Sequence, residues 1–361
     1  MDRPDLRPGT IEPCVALSHC PGFRSRPPTT YMACSTDRIL GACLGTAVGD
    51  ALGMPIEGIS HQNVRTYYKG IKEFRADEQR KDLDAGQWTD DTQMTFALVR
   101  ALTELTETDG PDGWPSAVAG EYVAMREHAR RWGPTTTAAI DRLADGVAPE
   151  DAGESEEPTN GAAMRAAPLG AWWCCTGATR EEAWSAILPV LAVTHRHPAA
   201  LAAGFGQAAA VQEAMAVDVE TFDAATFWQT LTDHVTYAEK KLAGDGEADT
   251  RVSDRLDRLR MHLDEFPLDM RDLCDGAGVR ADEAWPYACA MFARRPHLLE
   301  NTLLSSINVG GDADTHGAML GSLLGALHGW DAFPAEWHEG LEARERLEEE
   351  AGALAGAITA A

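Results

Sequence analysis

Apolar residues along this chain recur at every third or fourth position, and strand-like alternation is almost absent. The first sustained pattern opens at Ser35-Thr36-Asp37, a candidate helix N-cap, and runs through Gly53. Within it Gly41, Gly45, Gly49 and Gly53 return every four residues and so share one helical face. A late segment repeats the device with Gly317, Gly321, Gly325 and Gly329. Each such glycine costs about 0.5–1 kcal/mol relative to alanine in a helix interior. Close backbone approach by a neighbouring helix would justify that cost, so the two segments are expected to pack tightly against each other.

Between these stripes the periodicity predicts helices over 115–131 and 135–145, separated by Gly133-Pro134, then one entered at Asn160 and ending near Trp172-Trp173. Further helices are expected over 181–192, 199–216, 221–242, 281–293 and 297–306, with a last one over 334–361 whose run of Glu and Arg reads as a solvated face. Polar stretches at 69–84 and 146–158 read as loops. The charged segment 244–275 reads as a surface excursion with one short helix near 254–263. The expected architecture is all-α: a single-domain orthogonal helical bundle over 36–361, preceded by a disordered extension over 1–35.

Two clusters of oxygen donors stand at helix starts. One is Thr89-Asp90-Asp91; the other is Asp312-Ala313-Asp314-Thr315, preceded by Gly310-Gly311. Taken singly, either could be an Asp N-cap. Adjacent aspartates exceed what a cap requires, and their repulsion is relieved by a cation between them. All-oxygen donors suit a hard cation such as Mg²⁺, Ca²⁺ or Mn²⁺ and not zinc. Together the clusters could form a two-metal pocket. Thr194-His195-Arg196-His197 contains a His-x-His pair, but no Cys or third His stands at zinc-ligand spacing. For His195 a ligand hydrogen bond and a structural role remain open, as they do for Asn160 between helix cap and ligand contact.

Charge narrows the partners. The formal net charge is −26, which argues against a nucleic-acid backbone or an anionic membrane. No apolar run is expected to span a bilayer. Eight cysteines, at 14, 20, 34, 43, 174, 175, 274 and 289, form no CxxC pair or regular framework and read as reduced thiols, so a cytoplasmic protein is expected.

The blocks Gly41–Glu57, Gly86–Met94, Asn160–Gly170, Thr194–Pro198 and Asn308–Gly329 resemble, in order, the signature blocks of the ADP-ribosylglycohydrolase family. The resemblance implies an all-α fold with two Mg²⁺ or Mn²⁺ at the base of a cleft. It implies Thr89, Asp90, Asp91, Asp312, Asp314 and Thr315 as metal ligands. Glu57, seven residues after Asp50, would be the catalytic carboxylate, with Glu157 a weaker candidate. Asn160, Gly161, His195, Gly310 and Gly311 would contact substrate. The activity implied is hydrolysis of a ribosyl C1″ N- or O-glycosidic bond in an ADP-ribosylated substrate, releasing ADP-ribose. Two alternatives stay open: an N-glycosidase for a small NAD-derived riboside, and a silent metal-dependent ADP-ribose binder.

Overall fold

The glycine stripes meet. In the computed structural model, which describes residues 35–106, 110–243 and 251–360, α1 (Thr36–Gly53) runs antiparallel to a late helix, Ala313–His328. Gly41 faces Gly325, Gly45 faces Gly321, Gly49 faces Gly317 and Gly53 faces Ala313. A Cβ built at any of the four first-stripe glycines would overlap the carbonyl opposite it. The register has a consequence for chemistry: it lays the C-terminal end of α1, with Asp50, against the start of the late helix, with Asp312 and Asp314.

The remaining helices wrap this pair. In chain order those longer than eight residues are α2 (Asp90–Thr106), α3 (Trp114–Ala124), α4 (Pro134–Ala144), α5 (Ala167–Thr176) and α6 (Arg180–Ala192). Then come α7 (Pro198–Met215), α8 (Ala224–Ala243), α9 (Ala281–Arg294), α10 (Leu299–Ile307), the late helix α11 and α12 (Arg344–Ala360). Among the described residues there is no strand, only isolated bridges such as Ser60 with Gly310. Met32–Ala361 form one compact unit. The extension expected over 1–35 lies outside the described residues except for Ser35.

Several elements depart from the sequence pattern for local reasons. The helix entered at Asn160 is broken into a single turn, Gly161–Met164, and α5, where Pro168 fits only the first turn of a new helix. The segment expected as 115–131 ends at Ala124, and the last expected helix splits into Ala335–Gly340 and α12. The 244–275 excursion contributes to the core as well: Val252–Leu259 and Pro267–Leu273 are helical, and Val252, Leu256, Leu259 and Met270 are buried. Thr36–Ile56 is long and apolar enough, by length and composition, to cross a bilayer, contrary to expectation; 94% of that window is buried inside the protein, as a core helix would be. Cys43, Cys174, Cys274 and Cys289 are free, buried thiols, whereas Cys175 is disulfide-bonded, so the all-thiol expectation does not hold throughout.

Candidate metal centre and cleft

Three chain segments converge on one buried acidic cluster. The first is the end of α1. Asp50 is fully buried and acts as the cap of another helix: its carboxylate accepts from Thr89 N and Thr89 Oγ1 at 3.0 Å, from Thr92 N at 3.0 Å and from Thr92 Oγ1 at 2.6 Å. That ties the start of α2 to α1. Pro55 then helps end the helix, and a tight turn over Met54–Ile56 delivers Glu57 in extended backbone.

The second segment is the start of α2. Thr89 Oγ1 reaches Asp50 Oδ1 at 3.0 Å and Asp91 Oδ2 at 3.1 Å. Asp91 Oδ1 is buried and has no hydrogen-bond partner among the described residues. Asp90 is half-buried and lines the cleft.

The third is the start of α11. Asp312 occupies the N-cap position, yet its side chain makes no cap bond. Instead it accepts from Asn160 Nδ2 at 2.5 Å. Asn160 likewise makes no cap bond of its own. The capping explanation therefore fails for both residues. Thr315 Oγ1 reaches Asp91 Oδ2 at 3.4 Å. Carboxylate oxygens of Asp50, Asp91 and Asp314 lie within 4.8 Å of one another, and so do those of Glu57, Asp312 and Asp314. Asp314 belongs to both triads.

The electrostatics are those of a cation site. Burial pushes Asp50 up to about 6 despite the bonds it receives from Thr92 and Thr89. Burial, with the nearby Glu57 charge, takes Asp312 up to about 6 although Asn160 opposes it. Asp90, Asp91 and Asp314 stand well above the carboxylate range, from burial first and then from repulsion among the cluster. Carboxylates packed so closely that burial and mutual repulsion disfavour their charged forms, with Asp91 Oδ1 lacking a partner among the described residues, fit a divalent cation held by oxygen ligands. Glu57 differs. Burial raises it, but Arg80 and Arg131 outweigh burial, so its pKa lies below the ordinary glutamate value. Arg80 forks onto both Glu57 oxygens, and Arg131 Nη1 reaches Oε2 at 3.1 Å.

Glu57, Asp90, Asp312, Asp314 and Thr315 line a cleft with about 180 Å³ of space, whereas Asp50, Thr89 and Asp91 are not part of its lining. Its walls include Arg131, Gly133–Thr136 at the start of α4, Thr159, Asn160, Gly161, His195 and Val279. Asn160, Gly161 and His195 thus line the cleft. Gly310 and Gly311 do not: neither lines the cleft. With φ of +75° and +83° they pair with the segment after Glu57, where Gly58 N donates to Gly311 O at 2.8 Å and Gly311 N to Ile59 O at 3.2 Å. A Cβ on Gly310 would overlap the Ile59 carbonyl. Their role is to hold the Glu57 segment against the Asp312 segment. Glu157 is exposed and does not line the cleft. The His-x-His pair divides: His195 enters the cleft, while His197 caps α7 by accepting from Ala199 N at 3.1 Å.

Sequence reading missed Asp50 as a cluster member, the Arg80 and Arg131 pair, and the wall at Gly133–Thr136. Only the last carried a local signal: a Gly-Pro helix start followed by three threonines, which suits anions.

The family model described as ADP-ribosylglycohydrolase matches residues 32–361. The chain belongs to the ADP-ribosylglycohydrolase family. Its members are hydrolases acting on glycosidic bonds, and this chain is such a hydrolase. It is 33% identical over 314 residues to an uncharacterised protein of Archaeoglobus fulgidus, covering 87% of this chain and 94% of that one. It is 28% identical to the ADP-ribosyl-[dinitrogen reductase] glycohydrolase of Rhodospirillum rubrum, covering 86% and 92%. Against the human ADP-ribosylhydrolase ARH3 the identity is 26%, covering 87% and 92%. A solved ADP-ribosylglycohydrolase-related protein complex superposes with a TM-score of 0.63 at 26% identity, covering 90% of this chain and 98% of that one. The family fold and the all-α expectation agree.

Proposed function

We propose that this protein is a metal-dependent glycohydrolase that cleaves the ribosyl C1″ bond of an ADP-ribosylated substrate and releases ADP-ribose. The observation that carries the reading is Asp314, which lines the cleft beside Glu57 and Asp312 and is shared by two carboxylate triads. Asp50, Asp91 and Asp314 would hold one Mg²⁺ or Mn²⁺, and Glu57, Asp312 and Asp314 a second, with Thr89, Asp90 and Thr315 completing the oxygen-rich surround. Such ions, when bound, supply positive charge that orients a sugar diol and polarises a water.

The chain's own groups do the rest. Glu57 stays ionised next to Arg80 and Arg131, so it accepts a proton from water and has none to donate to a leaving group. Its negative charge also suits an oxocarbenium-like transition state. The start of α4 offers a helix N-terminus to the anionic diphosphate. Asn160, by holding Asp312, fixes one ligand oxygen.

The test is release of free ADP-ribose, followed by chromatography and mass spectrometry, in Mg²⁺ or chelator. Substrates would be ADP-ribosyl-arginine, ADP-ribosyl-serine, O-acetyl-ADP-ribose, ADP-ribosylated DNA and NAD. Metal-dependent cleavage of one ADP-ribosyl linkage supports the reading and names the mark. Cleavage of NAD alone points to a small-riboside glycosidase, and metal-dependent ADP-ribose binding without product to a silent binder. Full turnover by Asp314→Ala in excess Mg²⁺ would sink the reading.

A further inference from the structure

Behind the cleft wall lies a cation that the acidic cluster does not touch. Arg165 is fully buried, and among the described residues no carboxylate lies within ion-pair distance of it. Its guanidinium donates to Gly161 O at 2.7 Å, to Leu191 O at 3.4 Å and to Thr194 Oγ1 at 2.5 Å, and sits 5.4 Å from the centre of the Tyr122 ring. Thr194 Oγ1 in turn lies 2.8 Å from His195 Nδ1. The backbone here is pinned as well: Glu154 N donates to Thr194 O at 2.9 Å, and Arg196 N to Glu154 O at 2.6 Å.

Arg165 can only donate, so Thr194 Oγ1 accepts from it. The second lone pair of that oxygen could also accept from Nδ1–H, but among the described residues His195 Nδ1 is the acceptor within reach of the Thr194 hydroxyl proton, and using it places the ring proton on Nε2. His195 is buried, and the Arg165 charge is close, so the ring is neutral; both effects take its pKa well below the ordinary histidine value. Among the described residues Nε2 has no hydrogen-bond partner, and His195 lines the cleft. Gly161 is what leaves it room, since a Cβ there would stand 2.6 Å from Nε2.

We infer that Arg165 and Thr194 are positioning residues that lock His195 as a neutral Nε2–H donor aimed into the cleft at an oxygen acceptor of the ligand. The ligand half of this inference rests on the function proposed above; the relay itself does not. A neutral donor fixes an oxygen without adding charge to a site that must also hold cations.

The test has two readouts. In ¹⁵N-histidine-labelled, ligand-free protein, long-range ¹H–¹⁵N correlation reports which ring nitrogen carries the proton, with the His195 signal identified by its loss in His195→Gln. Calorimetric titration with ADP-ribose in Mg²⁺ reports affinity. The wild type should show the Nε2–H form alone. Thr194→Val, nearly isosteric but without the hydroxyl, should give a tautomer mixture and bind ADP-ribose about tenfold more weakly. Thr194→Ser should restore both, which a purely structural role for the threonine methyl would not allow. Arg165→Met tests the first link but removes a buried hub and could unfold the wall, so the Thr194 pair decides. A wild-type ring protonated on Nδ1, or a Thr194→Val protein unchanged in both readouts, overturns the relay. A wild type with the Nε2–H form that binds no ADP-ribose overturns the ligand half and counts against the function proposed, while the relay stands.

Discussion

Gly49 and Gly317 face each other across the central helix pair with no room for a methyl group on either side: a Cβ at Gly49 would overlap the Gly317 carbonyl. The contact is backbone on backbone, so no rotamer change can relieve it. It lies one residue from Asp50, and the helix spacing that it sets is the spacing of the acidic cluster.

Gly49→Ala should therefore destabilise the protein by ~1–3 kcal/mol or more, although alanine is the better helix former. Gly356→Ala in α12, where a Cβ would meet nothing within 4 Å, should instead stabilise it by ~0.5–1 kcal/mol. Urea unfolding of both variants checks the opposite signs. A neutral or stabilised Gly49→Ala would refute backbone contact between the stripes.

Asp314→Asn should separate folding from function. It removes one ionisable carboxyl from a buried set whose members disfavour each other's charged forms, so in chelator its melting temperature should match or exceed that of the wild type. Mg²⁺ should raise the wild-type melting temperature by mass action and leave the variant's unchanged. Turnover should fall ~100-fold or more through lost positioning. Thermal melts with and without Mg²⁺, alongside a turnover assay, read both effects.

Arg131 holds the wall together. It adopts φ of +55°, rare for a residue with a side chain, and its guanidinium reaches Glu57, the Met54 carbonyl, Asp77 and Asp82. Asp77 is buried. Arg131→Gln leaves that carboxylate without its guanidinium and should cost ~3 kcal/mol, with faster proteolytic cutting within 71–88. Arg131→Lys should not restore activity, because one ammonium cannot span the four acceptors. Full rescue by lysine would show that charge alone matters.

A pH dependence follows from His234, which lies away from the acidic cluster and packs edge-on against Trp173 with ring centres 5.1 Å apart. Burial, helped by the Arg180 charge, lowers its pKa from 6.5 to about 4. The folded state then binds fewer protons than the unfolded chain between those values. Stability from this group is complete above pH 6.5 and is lost as pH falls toward 4. His234→Phe keeps an aromatic ring and should remove that loss, so the difference between wild type and variant should grow by ~2 kcal/mol from pH 6.5 to 5. Chemical denaturation at several pH values measures it; a flat difference would exclude a buried neutral imidazole.

What the sequence determined by itself was what is periodic or local. Apolar spacing predicted an all-α chain, and a glycine every fourth residue in two distant segments predicted that those helices touch. Oxygen donors at the starts of α2 and α11 marked candidate ligands, because no cap needs two adjacent aspartates. Tertiary structure alone decided which side chains share the site. Asp50 reads in sequence as one polar residue in a core helix; only the register against α11 turns it toward Asp91 and Asp314. Arg80 and Arg131 come from irregular segments 51 residues apart in number, and no spacing rule joins them to Glu57. Gly310 and Gly311 looked like ligand contacts, yet their positive φ values serve a backbone pairing with the segment after Glu57. Periodicity fixes which face of a helix is buried, but which carboxylates meet depends on how far one helix is slid along another. Here that distance is set by glycines closing to backbone contact.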